Sequence, residues 1–385
     1  MGFGLKLLSA IALWIVYTYI YSDRSNTDIY KFFGDAAYIF EATKDKLILR
    51  YKLIFGLEDL SSITGFQQGV NFWHSETEVF FNDNRTMIRV HLLLYHFSQG
   101  FYLLHILFFA FLSFIGSMGL FKFFKSFSSL SSKLLFAISF LPPSLLFWSS
   151  APLKESYLLF SLGLLLYGVS IWLKRISTKA FFFIGLGIFL LLTIKLYILF
   201  SLLPGLILIL LLRNKTLKIK LLIAFSLILT SLFFIFQEEL INALANKQLK
   251  FKELIIQTKP KSAIPLNSFS NLTEFILVQP QAFFNVFIKP AWPTHWNMFT
   301  IIAAIEHLVY IAILSLPFLF KRKTSPGDQL LVLYSISFLI IATSIIGSTT
   351  PILGAIVRYK SPLIPFYLIT IFTLIDFSKL TKSHQ

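Results

Sequence analysis

The chain has 385 residues, of which 56% are hydrophobic, 17% aromatic and 14% charged, with a mean hydropathy of +0.75. Soluble domains are about 45–50% apolar and about 25% charged, so a soluble enzyme, a disordered chain and a nucleic-acid-binding domain are excluded. The net charge of +16 then becomes a question of membrane topology, and the absence of cysteine removes disulfides, thiolate chemistry and zinc–sulfur sites.

A membrane-spanning helix needs about 20 mostly apolar residues. The apolar runs predict about ten: 4–21, 101–121, 134–150, 156–173, 180–194, 196–212, 220–237, 298–320, 330–348 and 362–377. The expectation is an all-α polytopic membrane protein, with residues 1–385 forming one integral membrane domain. Tyr17-Thr-Tyr-Ile-Tyr-Ser follows the first run and offers no small-residue cleavage site, so that run reads as a retained helix and not a signal peptide.

Residues 22–100 form a long first outer loop. From Asp28 to residue 56, apolar and charged residues alternate at helix-like spacing, as in a helix lying in the membrane interface. Trp73 and Phe80 are of the type found at headgroup level. A second amphipathic stretch, Thr86 to His96, leads into the next span. The other long outer loop, 238–297, is polar at first and then rich in Pro and Trp: Pro280, Pro290, Trp292, Pro293 and Trp296.

The short loops and tails carry the charge bias. Lys6, Lys122, Lys125, Lys133, Lys174, Arg175, Lys179, Arg213, Lys215, Lys218, Lys220, Lys321, Arg322, Lys323, Lys379 and Lys382 share them with only Asp328 and Asp376. Short basic loops face the cytoplasm, so both termini are expected there, with the two long loops outside. A bacterial inner membrane is the expected location.

Charged residues at the outer helix ends are the most informative positions. Asp23, Asp28 and Asp35 follow the first span. Lys154 and Glu155 lie in a tight turn, Trp148-Ser-Ser-Ala-Pro-Leu-Lys-Glu-Ser. Lys195 stands alone between two apolar runs, and Arg358 and Lys360 precede the last span in Gly354-Ala-Ile-Val-Arg-Tyr-Lys-Ser-Pro. Each has a plainer reading: end lysines snorkel, Arg358 anchors a helix, and Asp28 or Asp35 lines a solvated face. Together, four cations and a carboxylate suit a phosphate-bearing lipid, with Arg giving bidentate contact and Lys a point charge.

At these positions the chain resembles the GT-C superfamily of polyprenyl-phosphate-dependent membrane glycosyltransferases, including its protein-mannosyltransferase-like members. The likeness rests on the acidic outer loop after one span (Thr27-Asp28-Ile-Tyr30 through Gly34-Asp35-Ala36), the Lys-Glu turn, the lone later Lys, and Arg358-Tyr-Lys-Ser-Pro362-Leu-Ile-Pro365. It implies a GT-C-like helical bundle with an extracytoplasmic active face. It also implies a polyprenyl-phosphate-linked sugar as donor, and an extracytoplasmic acceptor in envelope glycan or glycoprotein synthesis. The family's loop carboxylate, catalytic base or acceptor-orienting group, falls on Asp28, with Asp35 as the alternative. The phosphate cations would be Lys154, Lys195, Arg358 and Lys360. Two departures are visible: Asp28 has no acidic neighbour, and Glu155 stands where relatives often carry Asp.

His295 and Trp292 are candidate sugar contacts. Glu306, expected one turn into the eighth span, is either paired with a cation or part of the acceptor site. The seven histidines (His74, His91, His96, His105, His295, His307, His384) are scattered, with His91 and His96 off one helical face. No cofactor motif is evident, and a divalent metal is left open. The partners expected are the lipid-linked sugar, the bilayer and the acceptor, and no nucleic acid. A flippase for the same lipids is the rival reading and calls for ionisable residues at mid-span; with Glu306 the closest exception, the spans favour the enzyme. A non-catalytic scaffold of the same fold is the third reading.

Overall fold

In hydrocarbon every backbone N–H and C=O must be paired internally, which favours helices. The computed structural model describes residues 1–20, 27–59, 69–73, 81–213, 218–293 and 295–382, with backbone alone for 210–213, 218–235 and 380–382. Among them there are helices and two isolated bridges, Ala263 with Ile352 and Lys321 with Ile375, but no strand. Helix α1 (Gly2–Ile15) runs into a π-helical turn, Val16–Ile20. It is followed by α2 (Asp28–Ala42), α3 (Leu47–Ile54), α4 (Asp83–Ser98), α5 (Tyr102–Phe127), α6 (Ser132–Phe140) and α7 (Pro143–Trp148). Then come α8 (Lys154–Lys174), α9 (Thr178–Ile194), α10 (Leu196–Arg213), α11 (Lys218–Thr258), α12 (Leu272–Leu277) and α13 (Gln279–Phe287). The chain ends with α14 (Met298–Leu314), α15 (Leu316–Leu319), α16 (Pro326–Thr349), α17 (Leu353–Tyr359), α18 (Ile364–Thr373) and α19 (Phe377–Lys382).

Five of these segments are long and apolar enough to cross a membrane: Gly2–Ile20, Tyr102–Phe127, Lys154–Lys174, Met298–Leu319 and Pro326–Thr349. The run expected as a span at 134–150 is two short helices, because Pro142 and Pro143 cannot continue a helical hydrogen-bond ladder. Pro317 divides α14 from α15 in the same way. The final apolar run is a 3-10 turn, Ser361–Leu363, followed by the ten-residue α18.

The chain forms two compact units: Met1–Ser126 with Ser139–Leu199, and Phe127–Ile138 with Phe200–Gln385. In the first, α5, α8 and α9 pack through glycines. A Cβ on Gly116 would strike the Leu159 carbonyl, one on Gly163 would strike the Gly116 backbone, and one on Gly187 the Leu165 backbone. Lipid tails are as apolar as leucine, so such close approach, and not hydrophobicity, holds membrane helices together. The expected interfacial segment at 28–56 is α2 and α3, separated at Thr43–Lys46. Ile29, Phe32, Ala36 and Ile39 form a buried stripe at helical spacing along α2.

Lys6 is no loop cation. It lies in α1, wholly buried, and donates to Ser149 Oγ at 3.1 Å. Ala10 and Leu13 pack with Ala151, Leu153 and Ile29. The turn carrying Lys154 therefore runs along α1 instead of lying beyond its end.

In the second unit, Ser129 N–H and Oγ donate to Asp328, and Arg322 donates to Ser129 Oγ at 2.9 Å. Asp328 also closes the capping box that starts α16. Asp376 N–H donates to the Phe320 carbonyl, and Lys379 to that of Lys321. At another place in this unit, Ile264 N–H donates to the Pro351 carbonyl and Leu353 N–H to that of Ser262.

Candidate functional site

The first unit gathers charge where α4, α8 and the α9–α10 junction meet. Helix α4 starts at Asp83 because the Asn82 side chain accepts from the N–H groups of Asn84 and Arg85, at 3.0 and 3.1 Å. Asp83 Oδ2 then lies 2.7 Å from Lys154 Nζ, at the start of α8. The next residue, Glu155, places Oε1 3.5 Å from Lys195 Nζ, with side chains 0% and 7% exposed respectively. Lys195 sits at the non-helical joint between α9 and α10. Thr86 Oγ1 donates to the Thr193 carbonyl at 2.8 Å and pins α4 to that joint.

Asp28, in the first turn of α2, is half-buried and belongs to the same neighbourhood. Its neighbour Ile29 shares a buried cluster with Leu153, and Lys154 Nζ lies 5.7 Å from the ring centroid of Phe32, one helical turn further along. Asp35 is different. Its Oδ1 accepts from Asn71 N–H and Nδ2, at 2.7 and 2.9 Å, and its Oδ2 from Phe72 N–H at 2.7 Å. Both oxygens are engaged in tying residues 71 and 72 to α2.

Several expectations change at this point. Lys195 does not stand alone, since Glu155 faces it, and Lys154 faces Asp83. Trp73 is no headgroup anchor. It is 2% exposed, donates to Asp59 Oδ1 at 3.0 Å, and lies under the guanidinium groups of Arg85 and Arg89. Burial, and secondarily the charge of Arg85, lowers Arg89 to about 10. Asp23, Phe80, His74 and His384 lie outside the described residues. His91 meets His105 across 2.8 Å between Nδ1 atoms, and His105 Nε2 meets Ser98 Oγ at 2.8 Å. Burial holds His91 well below the ordinary histidine range, so it joins α4 to α5 as a neutral ring. Among the described residues no group of three His, Asp or Glu is placed to hold a metal ion.

The second unit carries the other predicted residues. Lys360 follows α17, is buried, and donates to the Val286 carbonyl at 2.5 Å. Burial lowers it to about 7, with Glu306 acting in the opposite direction. Arg358 is half-buried in the last turn of α17. Glu306 is buried and accepts from Tyr310 Oη at 2.5 Å. Because α14 begins at Met298, Glu306 lies about two turns in, not one. Trp292 and His295 are exposed just before α14. Lys360 heads an apolar cavity of about 450 Å³ between α13, α14, α16 and α18.

No protein-family model, curated protein or solved structure matches the chain. The chemistry must therefore be read from the residues. Asp83 is the functional candidate that sequence reasoning missed. Asn82-Asp83 is an ordinary helix start, and nothing local marks Asp83 as the partner of a lysine 71 residues later. The first unit can offer a partly exposed carboxylate paired with an ammonium, a buried Glu155–Lys195 pair at the next residue of α8, and a further carboxylate, Asp28, in the first turn of α2. Such a set can take a proton from a hydroxyl and hold a departing anion.

Proposed function

We propose that this chain is a GT-C-like membrane glycosyltransferase that moves a sugar from a polyprenyl-phosphate donor to an extracytoplasmic acceptor in envelope glycan or glycoprotein synthesis. The Asp83–Lys154 pair, with Lys154 Nζ against Phe32 one turn along α2 from Asp28, carries the reading. The acceptor hydroxyl attacks the anomeric carbon, the bond from that carbon to the phosphate oxygen breaks, and the lipid phosphate leaves with the electron pair. Asp28 takes the hydroxyl proton, from within about 2.6–3.2 Å or through one water. Lys154 exchanges Asp83 for the phosphate, and the neighbouring Glu155–Lys195 pair supports it. Taken by itself, the second unit carries Arg358 and Lys360 as cations suited to a lipid phosphate, and its apolar cavity suits a hydrocarbon chain. Trp292 and His295 are exposed where a sugar can reach them.

About ten spans, cytoplasmic termini and a bacterial inner membrane complete the proposal. Hydrogen bonding among Ser129, Arg322 and Asp328, and between Lys379 and the Lys321 carbonyl, supports one common side for three of the basic short segments. Pairing of Ile264 with Pro351 supports a common side for the second long loop and the turn before α17. A flippase for the same lipids is the second reading, favoured by the buried Lys6, His105 and Glu306 inside apolar helices.

Purified wild type and the variants Asp28→Asn and Asp83→Asn, supplied with polyprenyl-phosphate sugars, separate these readings. Transfer by wild type and a loss of about 100-fold or more in Asp28→Asn is the expected result. Asp83→Asn, which removes the carboxylate that competes for Lys154, is expected to tighten donor binding with a smaller effect on turnover. Lipid-sugar translocation without transfer would replace the enzyme with the flippase.

A further inference from the structure

The cavity in the second unit has an apolar wall that includes Phe283, Phe287, Leu314 and Leu339. A neighbouring space of about 320 Å³ shares those four residues and continues the wall. Five polar side chains interrupt it: His307, Tyr310, Thr343, Lys360 and Tyr367. Two of them are already engaged, because Tyr310 donates to Glu306 Oε1 and Tyr367 to the Tyr310 carbonyl at 2.8 Å. The other three are almost wholly shielded, at 0% exposure for His307 and Thr343 and 5% for Lys360.

These three ask for different partners. His307 Nδ1 lies 2.6 Å from the Ala303 carbonyl oxygen, one turn back in α14. A carbonyl only accepts, so Nδ1 carries the proton and donates, which leaves Nε2 to present a lone pair. Neither Nε2 nor Thr343 Oγ1 has a hydrogen-bond partner among the described residues. Buried acceptors without partners are rare in native proteins and call for an explanation. Lys360 spends one N–H on Val286 and keeps two. The lining of the apolar trough therefore includes an acceptor, a hydroxyl and a lysine that a bound anion would hold in its ammonium form.

We propose that this cavity recognises an amphiphile whose head bears a hydroxyl beside an anionic group, with His307 Nε2 receiving the hydroxyl hydrogen, Thr343 Oγ1 assisting and Lys360 holding the anion. A plain alkyl methyl phosphate, a singly charged diester like the glycoside's own phosphate, satisfies Lys360 and the apolar wall but has no hydroxyl to give Nε2. An alkyl phosphoglycoside satisfies all three groups. His307 is thus a specificity-determining residue that separates sugar-bearing lipid phosphate from the bare lipid phosphate. This rests on the proposed reading of the second unit as a lipid-phosphate binder, but on binding alone and not on transfer.

The test uses the full chain in nanodiscs with dodecyl methyl phosphate, dodecyl glucosyl phosphate and dodecyl glucoside as probes. Wild type is expected to bind the glucosyl phosphate about tenfold more tightly than dodecyl methyl phosphate, the gain from one well-formed buried hydrogen bond. His307→Phe is expected to erase that preference and leave dodecyl methyl phosphate binding unchanged, whereas Lys360→Met weakens both phosphates. A wild type without the preference, or a preference that survives His307→Phe, overturns the proposal. Equally tight binding of dodecyl glucoside would remove the role of the anion and overturn it too. Nitrogen-15 spectra of wild-type His307 need no variant: Nε2 should move from a free lone pair to a hydrogen-bonded acceptor with the glucosyl phosphate only. An unchanged signal at saturation overturns the assignment. Intact preference without sugar transfer would sink the enzyme reading and leave this one standing.

Discussion

Lys195 and Glu155 are held against each other out of solvent, so neither tolerates loss of its partner. Lys195→Met is expected to cost about 3–5 kcal/mol, because it removes the cation facing a buried carboxylate. Lys195→Met with Glu155→Met should recover most of that loss; thermal unfolding in detergent measures both. Equal loss in the single and double variants would show that the pair is not the source. Lys360 makes a pH-dependent prediction. Its value falls from 10.5 to about 7 on burial, so between those values the unfolded chain binds a proton that the folded one does not. Stability therefore rises with pH through that window, by about 2 kcal/mol from pH 7 to 9, and Lys360→Met should flatten the rise. At this scale the sequence identified which residues are charged at helix ends. It could not pair them: Asp83 with Lys154 and Glu155 with Lys195 are long-range contacts, and helix-start chemistry looks the same whether or not a lysine lies opposite.

Helices were largely legible, because hydrophobic period and caps are local. The Asn82 cap, the capping box at Ser325 and Asp328, and the amphipathic stripe of α2 all follow from neighbours within a few residues. Pro142-Pro143 was equally visible in the sequence but was overridden by the length of the apolar run around it. The glycines of α5, α8 and α9 carry a prediction at this scale. Gly163→Leu should destabilise the first unit by about 3 kcal/mol, since the new side chain meets the α5 backbone. Gly185→Leu, on α9 with open space around it, should leave the unfolding midpoint nearly unchanged. Equal effects of the two would argue against close α5–α8 packing.

At the scale of the whole molecule, the charge bias and the hydrogen bonds among Ser129, Arg322 and Asp328 lead to one topology prediction. A reporter inserted after Lys323 should read cytoplasmic and one inserted after Lys259 external. The reverse result would invert the arrangement and move the proposed site to the wrong face. The sequence by itself determined the solvent and the secondary structure: 56% hydrophobic residues in long runs leave no soluble solution, and an apolar surrounding leaves helices to satisfy the backbone. Only the tertiary structure decided that Lys6 is buried against Ser149, that Trp73 is a buried clip, that Asp35 is engaged and that His307 faces a cavity. The reason is the range of the forces. Burial averages and helical period are properties of neighbouring residues, whereas a lysine acquires a role from whichever atom the fold brings opposite it, 143 residues away in the case of Lys6.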